Sequence, residues 1–454
     1  MSLTGREIAE ATGGRLLGDP PAGPLAVSTD SRTLAPGQVF VALSGPNFDG
    51  HQFLAEAFAR GAAGAVVSRA PEPLPAGRFA VLVEDTLAAL GAMARYHRAR
   101  FGVPVVAITG SVGKTTTKEM VAAILAQRGP VLKTPENYNN EIGVPLALLE
   151  MAPAHVAAVV ELAMRAPGEI RYLAGLVQPT VGLITNVGHS HLERLGSVEA
   201  IADAKGELLG ELPADGTAVL NADDPQFPRL RAQVRCRLST FGREGGADLF
   251  VREIELREDH CPRFRLCTPQ GEVAVELAVP GEHNVTNALA AAGAGLAAGA
   301  GLEQVAAGLA RPLELAGRLR VLKAPGGVTV IDDCYNASPA SMQAGLALLG
   351  ATPAACRVAV LGDMKELGEA APELHRLVGR QAARAGVDRL VAYGPLARHY
   401  LEGAGALPAG SEWTQDEGEA IRLAREAAQP GAAVLVKGSR AMQLERVVER
   451  LLGD

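Results

Sequence analysis

Gly110-Ser-Val-Gly-Lys-Thr115 lies between an apolar run, VPVVAIT (103–109), and a helical stretch that begins at Lys114. Strand, glycine-rich turn and helix in that order turn backbone N–H groups inward on a polyphosphate, and the helix N-terminus adds positive partial charge. In this pattern Gly110, Ser111, Val112 and Gly113 form the cradle, with Lys114 able to reach the β and γ phosphates. The Thr115 hydroxyl can ligate Mg²⁺, with Thr116 beside it. The strict spacing G-x-x-x-x-G-K-[ST] is not met, because Ile108 stands where the first glycine would be. ATP is the expected ligand. A strand ending in an acid should face such a loop and hold the metal. Glu161, closing VAAVVEL, and Asp332/Asp333, closing VTVI, are the candidates, and Glu161 lies in the same domain as the loop.

The elements around these residues read as α/β throughout. A chain of 454 residues, 48% hydrophobic and 20% charged, is long enough for two to four domains and too apolar for intrinsic disorder. Residues 1–100 open with a capping box, Thr4 to Glu7, and continue as short strands and helices, a small α/β domain. Residues 101–313 alternate Val/Ile/Leu-rich strands with helices, which implies a mainly parallel sheet covered on both faces and carrying the phosphate loop. Within it, about 248–280 shows period-2 alternation, read as antiparallel strands at the domain edge, followed by an Ala-rich helix from Asn284. Residues 314–454 restart the strand–helix alternation as a Rossmann-like domain.

Composition excludes several functions. The net charge is −7 and aromatics are 4%, so neither a basic nucleic-acid surface nor a base-stacking platform is expected. No apolar run approaches the ~20 residues of a membrane span, and the first residues carry no signal-peptide pattern, so a cytoplasmic location is expected. Five cysteines without a CxxC pair read as free thiols. Only seven lysines (114, 118, 133, 205, 323, 365 and 437) stand against 36 arginines. That bias raises the chance that each lysine has a task arginine cannot perform.

Nine segments in order extend the pattern: TGSVGKTTTKE (109–119), TPENYNNEIGVPLALL (134–149), ELAMRAPGEI (161–170), TNVGHSHLERLGSVEAIADAKGEL (185–208), GEHNVTNALAA (281–291), AGRL (316–319), DDCYNASPASM (332–342), LGDMKELG (361–368) and VLVKGSR (434–440). Together with STDSR (28–32) and FDGH (48–51) they resemble the ATP-dependent Mur ligases of peptidoglycan synthesis. The resemblance covers nearly the whole chain. It implies a peptide ligase acting through an acyl phosphate. The spelling of YNASPASM and VLVKGSR implies D-alanyl-D-alanine as the amine and a UDP-N-acetylmuramoyl-tripeptide as the acid. ATP and Mg²⁺ are the implied cofactors, and a monomer without nucleic-acid or membrane partners is expected.

The resemblance also assigns roles. Lys114, Glu161, His191 and Lys205 are the expected catalytic set. Thr115, Glu161, His191 and Lys205 would hold metal, with Lys205 carbamylated by CO₂, since a bare ammonium has three donors and no acceptor. Asn284, Asn287, Arg318 and Asp333 are expected at the nucleotide. Ser31, Arg32, Asp49, Gly50 and His51 would meet the UDP-sugar, and Asn137, Asn139, Asn140, Asn336 and Lys437 the remaining substrate. Two departures stand out: Ala163 replaces a usual glycine, and His189 is an extra histidine near His191, read as structural. Another amide ligase of the same superfamily and a non-catalytic P-loop module are the competing readings. A GTPase switch is disfavoured, because no N-K-x-D motif occurs.

Overall fold

The computed structural model describes residues 3–45, 48–135, 137–243, 245–313, 317–405 and 410–453. Three main sheets follow one another along the chain. The first has five strands in the order Arg15–Leu17, Phe79–Leu82, Gly64–Val67, Val39–Val41, Val27–Ser28, and only its first pair is antiparallel. The Thr4–Glu7 capping box forms, with Glu7 N donating to Thr4 Oγ1 at 3.2 Å and Thr4 N to the Glu7 carboxylate at 2.7 Å.

The helix Thr86–Arg98 ties this unit to the next. His97 Nε2 lies 2.9 Å from Met151 O, and the buried Arg98 donates to Val177 O and Gln178 O at 3.0 and 3.1 Å. The hydrophobic cluster beneath is continuous from Leu3 to Leu230, so it crosses residue 100.

The central sheet has six strands, all parallel: Arg237–Phe241, Thr217–Asn221, Val181–Ile184, Val105–Thr109, Ala157–Glu161, Val131–Lys133. The strands Val105–Thr109 and Ala157–Glu161 are buried at every position, as the unbroken apolar runs require of a sheet covered on both faces. Their order sets Thr109 between Ile184 and Glu161, so the loops after three neighbouring strands open at one edge, where α/β proteins bind ligands. The antiparallel strands Phe250–Leu256, Pro262–Thr268 and Gly271–Glu276 are present, but as a sheet of their own. Among the described residues one bridge, Phe241 to Leu249, links that region to the central sheet's edge.

The third sheet runs Arg320–Ala324, Val328–Asp332, Ala432–Lys437, Cys356–Gly362, Arg389–Tyr393, Glu412–Thr414. Its first pair is an antiparallel hairpin and the rest are parallel, which makes it a mixed sheet. The hairpin strand RVLKA eluded the pattern because two of its five side chains, Arg320 and Lys323, are charged and exposed. The expected domain boundary at residue 314, and Ala316 of the AGRL motif, lie outside the described residues. No helix among the described residues is long and apolar enough to cross a membrane.

Candidate active site

The phosphate loop is built as its spelling requires. Gly110 has φ 151°, and a Cβ there would sit 1.9 Å from Thr185 Oγ1; Gly113 has φ 81°, and its Cβ would meet Asn287 Oδ1 at 2.3 Å. Neither position admits a side chain. Asn186 grips the loop between them: Val112 N donates to its Oδ1 at 3.0 Å, and its Nδ2 and Thr185 Oγ1 donate to Val112 O at 3.0 and 2.7 Å. Ser111 exchanges hydrogen bonds with Gly188, accepting from its N–H at 2.8 Å. Asn186 was not singled out by sequence reasoning, although it lies inside the TNVGHSH segment.

Lys114 opens the helix Lys114–Leu125, and its ammonium donates to Gly110 O at 2.8 Å. Burial pushes its pKa down, Glu161 partly restores it, and the charge of Arg318 from the third domain lowers it further. The charge of a third-domain arginine is thus felt at the phosphate loop. Arg318 itself stacks on the Tyr335 ring, 4.0 Å from its centroid. Thr116 is half-buried one residue further into the helix.

Thr115 Oγ1 donates to Glu161 Oε2 at 2.7 Å, and Asn139 Nδ2 donates to Glu161 Oε1 at 2.9 Å. A second strut holds the same acid. Lys118, fully buried, donates to Thr134 O at 2.6 Å, and Thr134 Oγ1 accepts from Glu161 N at 3.0 Å. Lys118 is a further residue the sequence reading left without a role, although the scarcity of lysine pointed toward it.

Lys205 is 1% exposed on the helix Val198–Gly210 and makes no hydrogen bond or ion pair to the described residues. Burial, then the neighbouring charge of Lys114, holds its pKa well below the ordinary lysine value. An isolated helical lysine reads as solvated; this one is a desolvated amine beside the phosphate loop. His191 adopts φ 65° at the start of a short helix, and burial lowers its pKa, opposed by Glu366 and reinforced by Lys114 and Lys205. Lys114, Glu161, His191 and Lys205 are thus one electrostatic neighbourhood.

No group of three or more His, Cys, Asp or Glu side chains among the described residues is arranged to hold a metal. The donors present still suit Mg²⁺, which binds through one or two carboxylates and substrate phosphates rather than a full protein cage. Glu161 with Thr115 fits that role, and Lys205 adds an anionic ligand only as a carbamate. His189 is exposed, and Ala163 keeps φ outside the left-handed region, so alanine fits where relatives carry glycine.

The other expected residues divide. Asn137, Asn139 and Asn140 line one cleft of about 430 Å³ together with Glu141, Arg165 and Tyr172, and Asn140 also caps the helix Gly143–Leu148 by accepting from Gly143 N at 2.9 Å. Asn284 is 2% exposed; it donates to Pro280 O at 2.7 Å and accepts from Asn287 at 2.8 Å. The pair buttresses Gly113 from behind.

Asp333 and Lys437 pair at 2.5 Å, and Lys437 also donates to Asn336 O at 2.9 Å. Lys437, expected at the substrate, is buried with its ammonium engaged by Asp333 and Asn336, and so helps to position the Asp333 loop. Burial raises the Asp333 pKa against the pull of that lysine. Asn336 is exposed, and its side chain accepts from Ala337 N.

His51, expected at the UDP-sugar, is engaged within its own domain. Its Nε2 accepts from Ser68 N at 2.9 Å while Nδ1 faces Asp49 at 2.8 Å, so both ring nitrogens are used internally. Asp49 also pairs with Arg69, and these hydrogen bonds hold its carboxyl below the ordinary range. Gly50 packs under the Leu43 carbonyl, Ser31 is buried against Glu56, and Arg32 forms an exposed bidentate pair with Asp30. A second cleft of about 360 Å³ does open on this face, lined by Ser28, Thr29, Asp30 and Gln38 with Tyr138 of the central domain. None of the five expected residues lines it, although Ser31 and Arg32 directly follow its lining residue Asp30.

This arrangement recurs in known proteins. Residues 26–98, 108–295 and 317–440 match, in turn, the Mur ligase family catalytic domain, the Mur ligase middle domain and the Mur ligase glutamate ligase domain. The chain is 40% identical to the UDP-N-acetylmuramoyl-tripeptide–D-alanyl-D-alanine ligase of Synechocystis, across 94% of this chain and 92% of that one. It superposes on MurF of Acinetobacter baumannii with a TM-score of 0.92 at 36% identity, covering 100% and 99% of the two chains. MurF ligase of Thermotoga maritima, solved with ADP, gives 0.82 at 30% identity over 94% and 97%. With three successive domain matches, a full-length relative and a phosphate loop facing a buried lysine, the chain belongs to the Mur ligase family.

Proposed function

We propose that the protein joins D-alanyl-D-alanine to UDP-N-acetylmuramoyl-tripeptide, with ATP cleaved to ADP and phosphate, in peptidoglycan precursor synthesis. One observation carries the chemical reading: Glu161 accepts from Thr115 on one side and from Asn139 on the other. A single carboxylate thereby couples the phosphate loop to the cleft that would hold the acid substrate.

The residues then act in sequence. The loop N–H groups and Lys114 hold the γ-phosphoryl in line with the tripeptide's terminal carboxylate, which attacks phosphorus and releases ADP. The D-alanyl-D-alanine amine attacks the resulting acyl phosphate and loses a proton, and inorganic phosphate leaves. Bound Mg²⁺ would supply charge neutralisation between the anionic reactants. Thr115 and Glu161 would hold one ion, and His191 with carbamylated Lys205 a second. A low amine pKa favours that modification, since only neutral Lys205 can attack CO₂. Arg318, reaching Lys114 from the third domain, would add charge at the γ-phosphate and help exclude water from the acyl phosphate. We further propose that the protein works as a cytoplasmic monomer.

The test is an end-point reaction containing UDP-muramoyl-tripeptide, ATP and D-alanyl-D-alanine, read by mass spectrometry. Formation of the pentapeptide product with stoichiometric phosphate is expected. Phosphate release that does not depend on the amine, or no ligated product, would refute the assignment.

A further inference from the structure

Two residues on opposite sides of a domain boundary share an uncommon backbone conformation. His191, in the loop after the strand Val181–Ile184, has φ 65°, and Glu366, in the third-domain segment LGDMKELG, has φ 63°. Left-handed backbone is costly for side chains of this kind and persists where the surroundings impose it, often at functional sites. The two meet. His191 Nδ1 lies 2.6 Å from Glu366 Oε2, and Glu193 N donates to Glu366 O at 3.3 Å.

The segment carrying Glu366 is anchored from both sides. Met364 N donates to buried His375 at 3.1 Å, Lys365 N to Ser439 at 2.9 Å, and the Lys365 ammonium to buried Asp363 at 2.8 Å. Glu366 is therefore presented by a rigid mount, whereas nothing in the local sequence requires glutamate where glycine would relieve the backbone.

A metal-ligating histidine almost always directs its second ring nitrogen to a carboxylate or carbonyl, which fixes the tautomer and raises the basicity of the ligating nitrogen. Here Nδ1 lies within ion-pair distance of Glu366, short of hydrogen-bond alignment in this conformation, and Nε2 is the nitrogen left to ligate. We propose that Glu366 is a positioning residue, completing a carboxylate–histidine–metal relay across the domain boundary, so that closure of the third domain and metal loading at His191 strengthen each other. The proposal rests on the metal role of His191 given above. Coupling of this kind is reciprocal: whatever factor closure adds to metal affinity, metal adds to closure.

The test uses the full-length protein with ADP and Mn²⁺ as a spectroscopic probe, free Mn²⁺ being followed by electron paramagnetic resonance. Glu366→Gln keeps the size and removes the charge; Glu366→Gly removes the side chain and relieves the backbone. Both should bind Mn²⁺ about 10–100-fold more weakly at the affected site, and Glu366→Gly should melt no lower than the wild type. Small-angle scattering should register compaction on adding Mn²⁺ to the wild type and less in either variant. Unchanged Mn²⁺ affinity in both variants overturns the relay, and so does a loss of affinity that only tracks a loss of thermal stability. If wild-type protein ligates while the variants bind Mn²⁺ normally, only the relay fails; if wild-type protein does not ligate, the functional reading fails with it.

Discussion

Replacing Lys205 separates fold from chemistry more sharply than any other single change. Its amine is 1% exposed, lacks a hydrogen-bond or ion-pair partner among the described residues, and has its pKa driven far down by burial and by Lys114. The folded protein holds the group neutral between its lowered pKa and the ordinary lysine value, while the unfolded chain protonates it. Folding thus releases a proton in that window, and stability rises with pH across it. Lys205→Met, similar in length and apolar, removes the desolvated amine and should leave the melting temperature within a few degrees of the wild type, the shift about 1 kcal/mol produces in a large domain. Activity should fall sharply. Loss of an anionic metal ligand removes several kcal/mol of charge stabilisation, or about 10²–10⁴ in kcat. Lys205→Arg should not rescue, because a guanidinium cannot form the carbamate, whereas a short carboxylic acid added to Lys205→Ala should restore part of the rate. Differential scanning calorimetry and a coupled phosphate assay measure the two effects. A Lys205→Met protein that unfolds far below the wild type would refute the desolvated-amine argument, and a Lys205→Arg protein that turns over normally would refute the carbamate.

Lys114→Ala should lower kcat by about 10²–10³, as expected for removing a donor from developing charge, with near-native circular dichroism; undiminished turnover would remove the phosphate-loop assignment. Lys437→Met strands the buried Asp333 carboxyl, so it should destabilise by about 3–5 kcal/mol in urea titration, and a change below about 1 kcal/mol would contradict the pairing. His283, held near pKa about 4 chiefly by desolvation and then by Lys437, stays neutral in the folded state while the unfolded chain protonates below the ordinary histidine pKa. Stability should therefore fall as pH drops from about 6.5 toward 4, by at most about 3 kcal/mol, and His283→Phe should flatten that limb in denaturation curves taken at several pH values.

Much of the chemistry is local in sequence, and the sequence alone determined it. A phosphate loop is a strand, a glycine turn and a helix N-terminus within a dozen residues, so the order of those elements around GKT pointed to Gly110–Thr115 even though the strict glycine spacing is not met. Apolar run length likewise dictated the parallel strands, since a sheet covered on both faces needs Val, Ile and Leu at every position. Tertiary structure alone decided which polar side chains are consumed by the protein itself. His51 and Lys437 occupy motif positions that suit a ligand, and the fold engages both with Ser68, Asp49, Asp333 and Asn336, partners as many as 104 residues away. Lys118 and Asn186 have the opposite history, plain in sequence and essential to the geometry of Glu161 and Val112. Burial decided the state of Lys205, because the desolvation that disarms its charge comes from helices and loops packed around it and has no signature in neighbouring residues. The meeting of His191 with Glu366 belongs to the same class: each lies in its own motif, and only domain packing brings a carboxylate to the imidazole.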